Sequence, residues 1–267
     1  MMKWKKMMAT VVASSSMLLL AACTPSAQKI NEKMEDAGQD VKNGRVEMTM
    51  DLKSGDEKIQ VASDMDFKLK PALFRQELTL KGDGQTIPVT DYITDDEQYM
   101  KLNGEWIKGD KDTFKEVGVE WPDFEKEEKN RTYSAGSEKL LDEMEVDSKD
   151  DTYTMTLKGD SKNKKSVVKE VKKLMTSAVE NEETKKLFKD IKVQSVDYTY
   201  KVDKDSYLPK NYQVKMKYKQ DGETINAKMN YDYSKLNKNK DIKIPTQVKD
   251  AAIDLKDLNE LAEMEDY

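Results

Sequence analysis

The chain has 267 residues, 37% of them charged and 37% hydrophobic, a net charge of −6 and no histidine. An acidic balance argues against a nucleic-acid partner, and the missing imidazole removes the usual general base near neutral pH and the commonest metal ligand. The single cysteine, Cys23, cannot close an intrachain disulfide.

Residues 1–22 read as an export signal. Lys3, Lys5 and Lys6 open it, and Met7 to Ala22 form an uncharged, mostly apolar span. That span is shorter than the roughly 20 apolar residues a membrane-crossing helix requires. Leu20, Ala21, Ala22 and Cys23 resemble the lipobox of bacterial lipoproteins. The resemblance implies transfer of a diacylglyceryl group to the Cys23 thiol, cleavage just before it, and anchoring to the membrane through the acyl chains. Each buried acyl CH₂ contributes about 0.8 kcal/mol, so two or more chains hold stably. The mature chain then starts at Cys23 with a net charge of −9 once the three lysines are lost. Residues 23–29 form a lipidated tether, and the protein sits at the outer face of the cytoplasmic membrane without crossing it. The competing reading is an ordinary signal peptide cut after Ala22.

Ile30, Met34, Ala37 and Val41 recur at three- and four-residue steps and predict an amphipathic helix over 29–41, ended by Asn43-Gly44. The period then changes to two. Val46, Met48, Met50 and Leu52 alternate with polar residues, as do Ile59, Val61, Met65, Phe67 and Leu69, with a break at Ser63. Ser54-Gly55-Asp56 joins them into an antiparallel hairpin with one apolar face. Further strands are predicted at 74–81, 85–94, 97–101 and 105–108, with Asp83-Gly84 and Asn103-Gly104 as hairpin turns. The pattern weakens over 110–142, where short helices are expected at 123–129 and 137–144 around a Trp121-Pro122 loop. Residues 152–158 return to a strand. A helix follows, capped by Ser161 or Ser166 and carrying Val167, Val168 and Val171, then a helical piece over 182–188. Strands at 192–202, 211–219, 223–233 and 242–244 close the folded part. Residues 30–245 make one domain, and 246–267 an acidic tail.

Two segments echo each other without a gap. The one from Pro71 and the one from Pro209 align Phe74 with Tyr212, Leu78 with Met216, and Asp83-Gly84 with Asp221-Gly222. Any two hairpins with an Asp-Gly turn look alike, so the echo is either a repeat or a shared turn.

The predicted fold class is α+β: a curved antiparallel half-barrel of about 8–11 strands around a few helices, since a long twisted sheet curls. Its concave apolar side would hold a groove lined by Val46, Met48, Met50, Val61, Met65, Phe67, Leu78, Met155, Met216 and Met229. Methionine is flexible and polarizable and adapts to acyl chains, though it fills ordinary cores equally well.

The segments "RVEMTMDLKS", "DMDFKLKPALFRQELTL", "DYITDDEQYMKLNGEWIKGD" and "YKVDKDSYLPKNYQVKMKY", behind a lipobox, resemble an uncharacterised Firmicute lipoprotein family of the LolA/LppX/LprG-like superfamily. The resemblance spans roughly Lys29 to Pro245 and implies an incomplete barrel wrapped around helices, LolA-like, that holds lipid.

Other motifs carry less. Ser166-Val167-Val168-Lys169 matches S-x-x-K but lacks its S-D-N and K-T-G partners. Asp203-Lys204-Asp205 lacks the glycine and terminal glutamate of a calcium loop and reads as a turn. Asn130-Arg131-Thr132 is a glycosylation sequon without meaning in most bacteria. Lys162, Lys164 and Lys165 make a small basic patch that reads as a solvated face. Any carboxylate pair is uninformative among 52 acidic residues. No catalytic residue, metal ligand or cofactor is expected. The leading expectation is a lipoprotein that binds or carries a lipid or other hydrophobic small molecule. The alternative is a surface scaffold or sensor that binds a protein partner and has a fully packed core.

Overall fold

The computed structural model describes residues 24–102, 104–116, 133–160, 164–177, 191–239 and 241–257. After helix α1 (Ala27–Gln39) the chain runs through six strands: β1 (Asn43–Ser54), β2 (Glu57–Leu69), β3 (Ala72–Gly82), β4 (Gln85–Thr94), β5 (Glu97–Leu102) and β6 (Glu105–Asp110). Two short helices follow, α2 (Lys111–Glu116) and α3 (Glu138–Leu141), then β7 (Glu145–Lys149) and β8 (Thr152–Asp160). Helix α4 (Lys165–Ser177) precedes β9 (Lys192–Asp203), β10 (Pro209–Gln220) and β11 (Glu223–Ser234), and α5 (Thr246–Ala251) leads into β12 (Ile253–Asp254).

All twelve strands belong to one sheet, ordered β12-β6-β5-β4-β3-β2-β1-β11-β10-β9-β8-β7. Every pairing is antiparallel except the two-residue β12–β6 contact. The architecture is thus two meanders, β1–β6 and β7–β11, joined where β11 pairs β1 from Arg45↔Ser234 to Ser54↔Ile225. The sheet is an open half-barrel: β7 and β12 are its ends, and among the described residues no pairing joins them.

Alternation assigns each residue to a face. The inner face takes Met155 and Leu157 of β8, Val196 and Tyr200 of β9, and Val214 and Met216 of β10, in register across the sheet. Helices α1, α3 and α4 cover this part. Ile30, Met34, Leu140, Val167 and Val171 are buried with those strand residues in the main core. Gly159 marks how closely α4 approaches, because a Cβ there would lie 2.7 Å from Val167 Cγ1. Helix α1 is seated by Ser26, whose side chain accepts from Lys29 N, and by buried Asn31, which accepts from Ala135 N at 2.7 Å.

A second, smaller core lies on the outer face at the other end of the sheet. Leu73, Tyr92 and Tyr99 are buried there under Val248, with Trp106, Ile242, Ile244 and Ala252 packed around them. Residues 246–254, taken in the sequence as the start of the tail, therefore form α5 and β12 against the sheet.

Several expectations are corrected. Residues 242–244 are not a strand; their apolar side chains serve the outer core instead. Helix α1 begins at Ala27, so the last residues assigned to the tether form its first turn. Asn43-Gly44 does not end that helix but opens β1, where Gly44 is required by close packing: a Cβ would sit 2.6 Å from Leu236 and 2.9 Å from Phe67. Ser166 lies inside the first turn of α4 rather than at its cap. Strand β7, with Val146 as its one apolar residue, and helix α2 were not anticipated. The pieces expected at 123–129 and 182–188 fall outside the described residues. The echo holds at the level of the hairpin, since both Asp-Gly turns place both residues at positive φ (50° and 75°; 50° and 86°) in two-residue loops.

Candidate functional site

The inner face is covered along only part of its width. Beyond β11, the same alternation continues through Met48 and Met50 on β1, Val61 and Met65 on β2, Leu78 and Leu80 on β3, and Val89 on β4. These side chains are only partly buried and belong to neither core. At the hairpin tips Ile59 and Ile87 are 49% and 48% exposed. Gly109 on β6 closes the far side: the Phe114 ring of α2 lies where a Cβ would be, at 2.8 Å. Between Phe114 and the helices over β8–β11 lies an apolar wall that no described helix covers.

Six of the ten residues expected to line a groove meet on this wall: Val46, Met48, Met50, Val61, Met65 and Leu78. Met229 pairs Met50 at its edge but packs against the main core. The remaining three lie elsewhere. Met155 is fully buried and Met216 is 7% exposed beneath the helices, and Phe67 is buried against Phe74 with ring centroids 6.4 Å apart. All three are buried side chains and are not exposed on the wall. Leu80, Val89, Met100 and Ile107 were not singled out, although their period-two alternation on β3–β6 is the same signal.

A tyrosine ladder separates the covered and uncovered parts. Tyr212 stacks on Tyr231 at 5.6 Å and lies 4.8 Å from Tyr198, and Tyr231 is the cross-strand partner of Met48. Burial pushes the Tyr212 hydroxyl up to about 12, against a downward pull from its hydrogen bond with Tyr198. These hydroxyls stay protonated at physiological pH and act as hydrogen-bonding groups, not as bases.

The middle of the wall also contains a carboxylate. Asp91 sits on the inner face of β4 opposite Gln76, and desolvation raises its pKa to about 6 despite the hydrogen bond from Gln98. The Asp203 turn behaves differently. Its Oδ1 accepts from Ser206 N and Oγ at 2.9 Å each, and its Oδ2 lies 3.0 Å from Lys210 Nζ. This is the tight turn expected for Asp203-Lys204-Asp205. Lys164 of the basic patch pairs with Glu143 at 3.2 Å, and Lys162 lies outside the described residues. On the outer face, a concavity of about 510 Å³ is rimmed by Lys53, Lys215, Lys217 and Lys228, with Asp51 and Asp197 among them. The mixed signs there offset one another.

The family model of DUF6612, a family of unknown function, matches residues 26–253. The chain belongs to this family. A search of curated proteins finds no match. Among solved structures, LprF from Mycobacterium bovis is 13% identical, with 84% of this chain and 97% of that one covered at a TM-score of 0.45. The lipoprotein LppX of Mycobacterium tuberculosis is also 13% identical, with coverage of 82% and 98% and a TM-score of 0.41. A LolA-superfamily protein from Nitrosomonas europaea is 9% identical, with coverage of 84% and 97% and a TM-score of 0.25. Among the described residues, no helix is long and apolar enough to cross a membrane.

Proposed function

We propose that the protein is a lipoprotein, anchored through Cys23 at the outer face of the cytoplasmic membrane, that binds or carries a lipid or other hydrophobic molecule on the uncovered half of its inner face. One observation carries this reading: Met48, Met50, Val61, Leu78, Leu80 and Val89 share a face that no described helix packs against. Water-exposed apolar surface costs about 25 cal/mol per Å², so an apolar guest laid there is held by burial alone. Binding is an equilibrium with no covalent step, and the protein is not an enzyme in this reading. The wall is rich in methionine, whose flexible side chains accommodate chains of differing shape. Three residues, 24–26, separate Cys23 from α1, a reach of about 10 Å that keeps the domain close to the lipid surface.

Two measurements test it. Organic extraction and native mass spectrometry of the purified full chain should yield a lipid in stoichiometric amount. A lipid-free chain with a dry interior would instead favour a scaffold or sensor that binds a protein partner. Metabolic labelling with palmitate should mark the wild type and not Cys23→Ser; equal labelling of both would remove the anchor.

A further inference from the structure

The uncovered wall is not uniformly apolar. Four polar side chains cross it on a diagonal, one from each of four adjacent strands: Ser63 on β2, opposite Leu78, then Gln76 on β3 and Asp91 on β4, then Gln98 on β5, opposite Ile93. Gln76 and Asp91 are direct cross-strand partners. Gln76 Nε2 donates to Ser63 Oγ at 2.9 Å, and Gln98 Nε2 donates to Asp91 Oδ2 at 3.3 Å. Ser63 and Gln98 are buried, at 6% exposure each. Both amides thus direct a donor to a neighbour in the strip, which leaves the strip rich in acceptors: the Gln76 carbonyl and a carboxylate that accepts only while ionised. Among the described residues no lysine or arginine pairs with Asp91. Among the described residues its donors are Gln98, at 3.3 Å, and its own backbone N–H, and desolvation outweighs both.

The strip borders an apolar panel on one side. From Asp91 toward the hairpin tip, β4 continues through Val89 to Ile87, with Leu78 and Leu80 beside it on β3 and Met50 and Val61 beyond. That is about 13 Å of apolar wall leading away from a row of acceptors. An acceptor-rich band followed by an apolar run has the polarity of an amphiphile lying along the strands.

We propose that the inner wall selects an amphiphile whose head donates hydrogen bonds and bears no negative charge, with its hydroxyl or ammonium against Asp91 and Gln76 and its chains along Leu78, Leu80 and Val89. This rests on the lipid-binding reading above and narrows it. A phosphate or carboxylate head would place a second negative charge beside Asp91 where little water remains to screen it. A hydroxyl or ammonium supplies a further donor to the Asp91 carboxylate.

The test uses the full chain in phosphatidylcholine vesicles, each doped with one photo-crosslinkable probe: a diacylglycerol, a long-chain alkylamine or a phosphatidic acid. Crosslinks are mapped by mass spectrometry to residues 46–52 and 76–82. The diacylglycerol or the amine should label this wall about tenfold or more above phosphatidic acid. Asp91→Asn, which keeps an acceptor but loses the charge, should lower amine labelling and spare diacylglycerol; the two arms thereby tell a hydroxyl head from an ammonium. Asp91→Leu should remove the preference altogether, and Gln76→Leu should weaken it, so the result does not depend on one variant folding. Equal labelling by all three probes, or a preference for phosphatidic acid, overturns the head-group proposal while leaving the apolar wall as a lipid site. No labelling of the wall by any probe overturns both.

Discussion

The two halves of the inner face are written in the same code and do different work. On β8–β10, Met155, Leu157, Val196, Val214 and Met216 alternate with polar residues and lie beneath α1, α3 and α4. On β1–β4, Met48, Met50, Val61, Leu78 and Val89 alternate in the same way, yet no described helix reaches them. Coverage, not composition, separates a packed core from an uncovered apolar wall. A residue's face is a local property of the strand, whereas coverage depends on where distant helices dock.

The sharpest way to break this comparison is to truncate one methionine in each half. Met155→Ala leaves a cavity beneath the helices and should cost about 2–5 kcal/mol, read by denaturant unfolding. Met48→Ala, on the partly exposed wall, should cost about 1 kcal/mol or less in lipid-free protein while lowering the amount of lipid recovered. Equal costs would mean that the wall is as tightly packed as the core.

The halves should also respond to pH with opposite signs. Burial raises the Asp91 pKa in the folded chain to about 6, from an ordinary aspartate value of 3.8. The folded chain therefore holds an extra proton between roughly pH 4 and 6, and a penalty of at most about 3 kcal/mol is fully present above pH 6. Asp91→Asn should accordingly stabilise the protein at pH 8 and change little at pH 4. Asp203, at the β9–β10 turn of the packed half, is held at about 2, chiefly by the Ser206 backbone N–H, with the Lys210 ammonium adding to it. Its contribution is present above pH 4 and lost as pH falls through 2. Asp203→Asn should cost about 1 kcal/mol at pH 7, since the group is partly solvated, and little once pH falls below 2. Thermal melts of the two variants across that range check both signs.

What the sequence made legible follows from the same distinction. Alternation over 46–52, 59–69 and 211–233 marked long strands with one apolar face, and the Asp-Gly pairs at 83–84 and 221–222 marked their turns. The open sheet followed. Coverage did not, because nothing in a strand distinguishes Met155 from Met48. The polar strip was out of reach for a related reason: Ser63 read as a break in its strand, and Gln76, Asp91 and Gln98 each looked like one polar residue among many. Only the pairing register brings them together, along one diagonal of the inner face. The outer core escaped notice because Ile242, Ile244, Val248 and Ala252 are too few and too unevenly spaced to show a period, and they gain meaning only once Tyr92 and Trp106 are seen side by side on the outer face beneath them.

The two ends of the sheet settle how the molecule behaves among copies of itself. An unclosed sheet offers a free row of backbone donors and acceptors on which another chain can add. Here one boundary strand, β7, is five residues long and presents Glu145, Asp147 and Lys149 to water. The other is taken up by Ile253 and Asp254, which lie parallel to β6 with Asp254 3.8 Å from Lys108. A neighbouring chain would meet stubby, charged borders that offer it little to add onto.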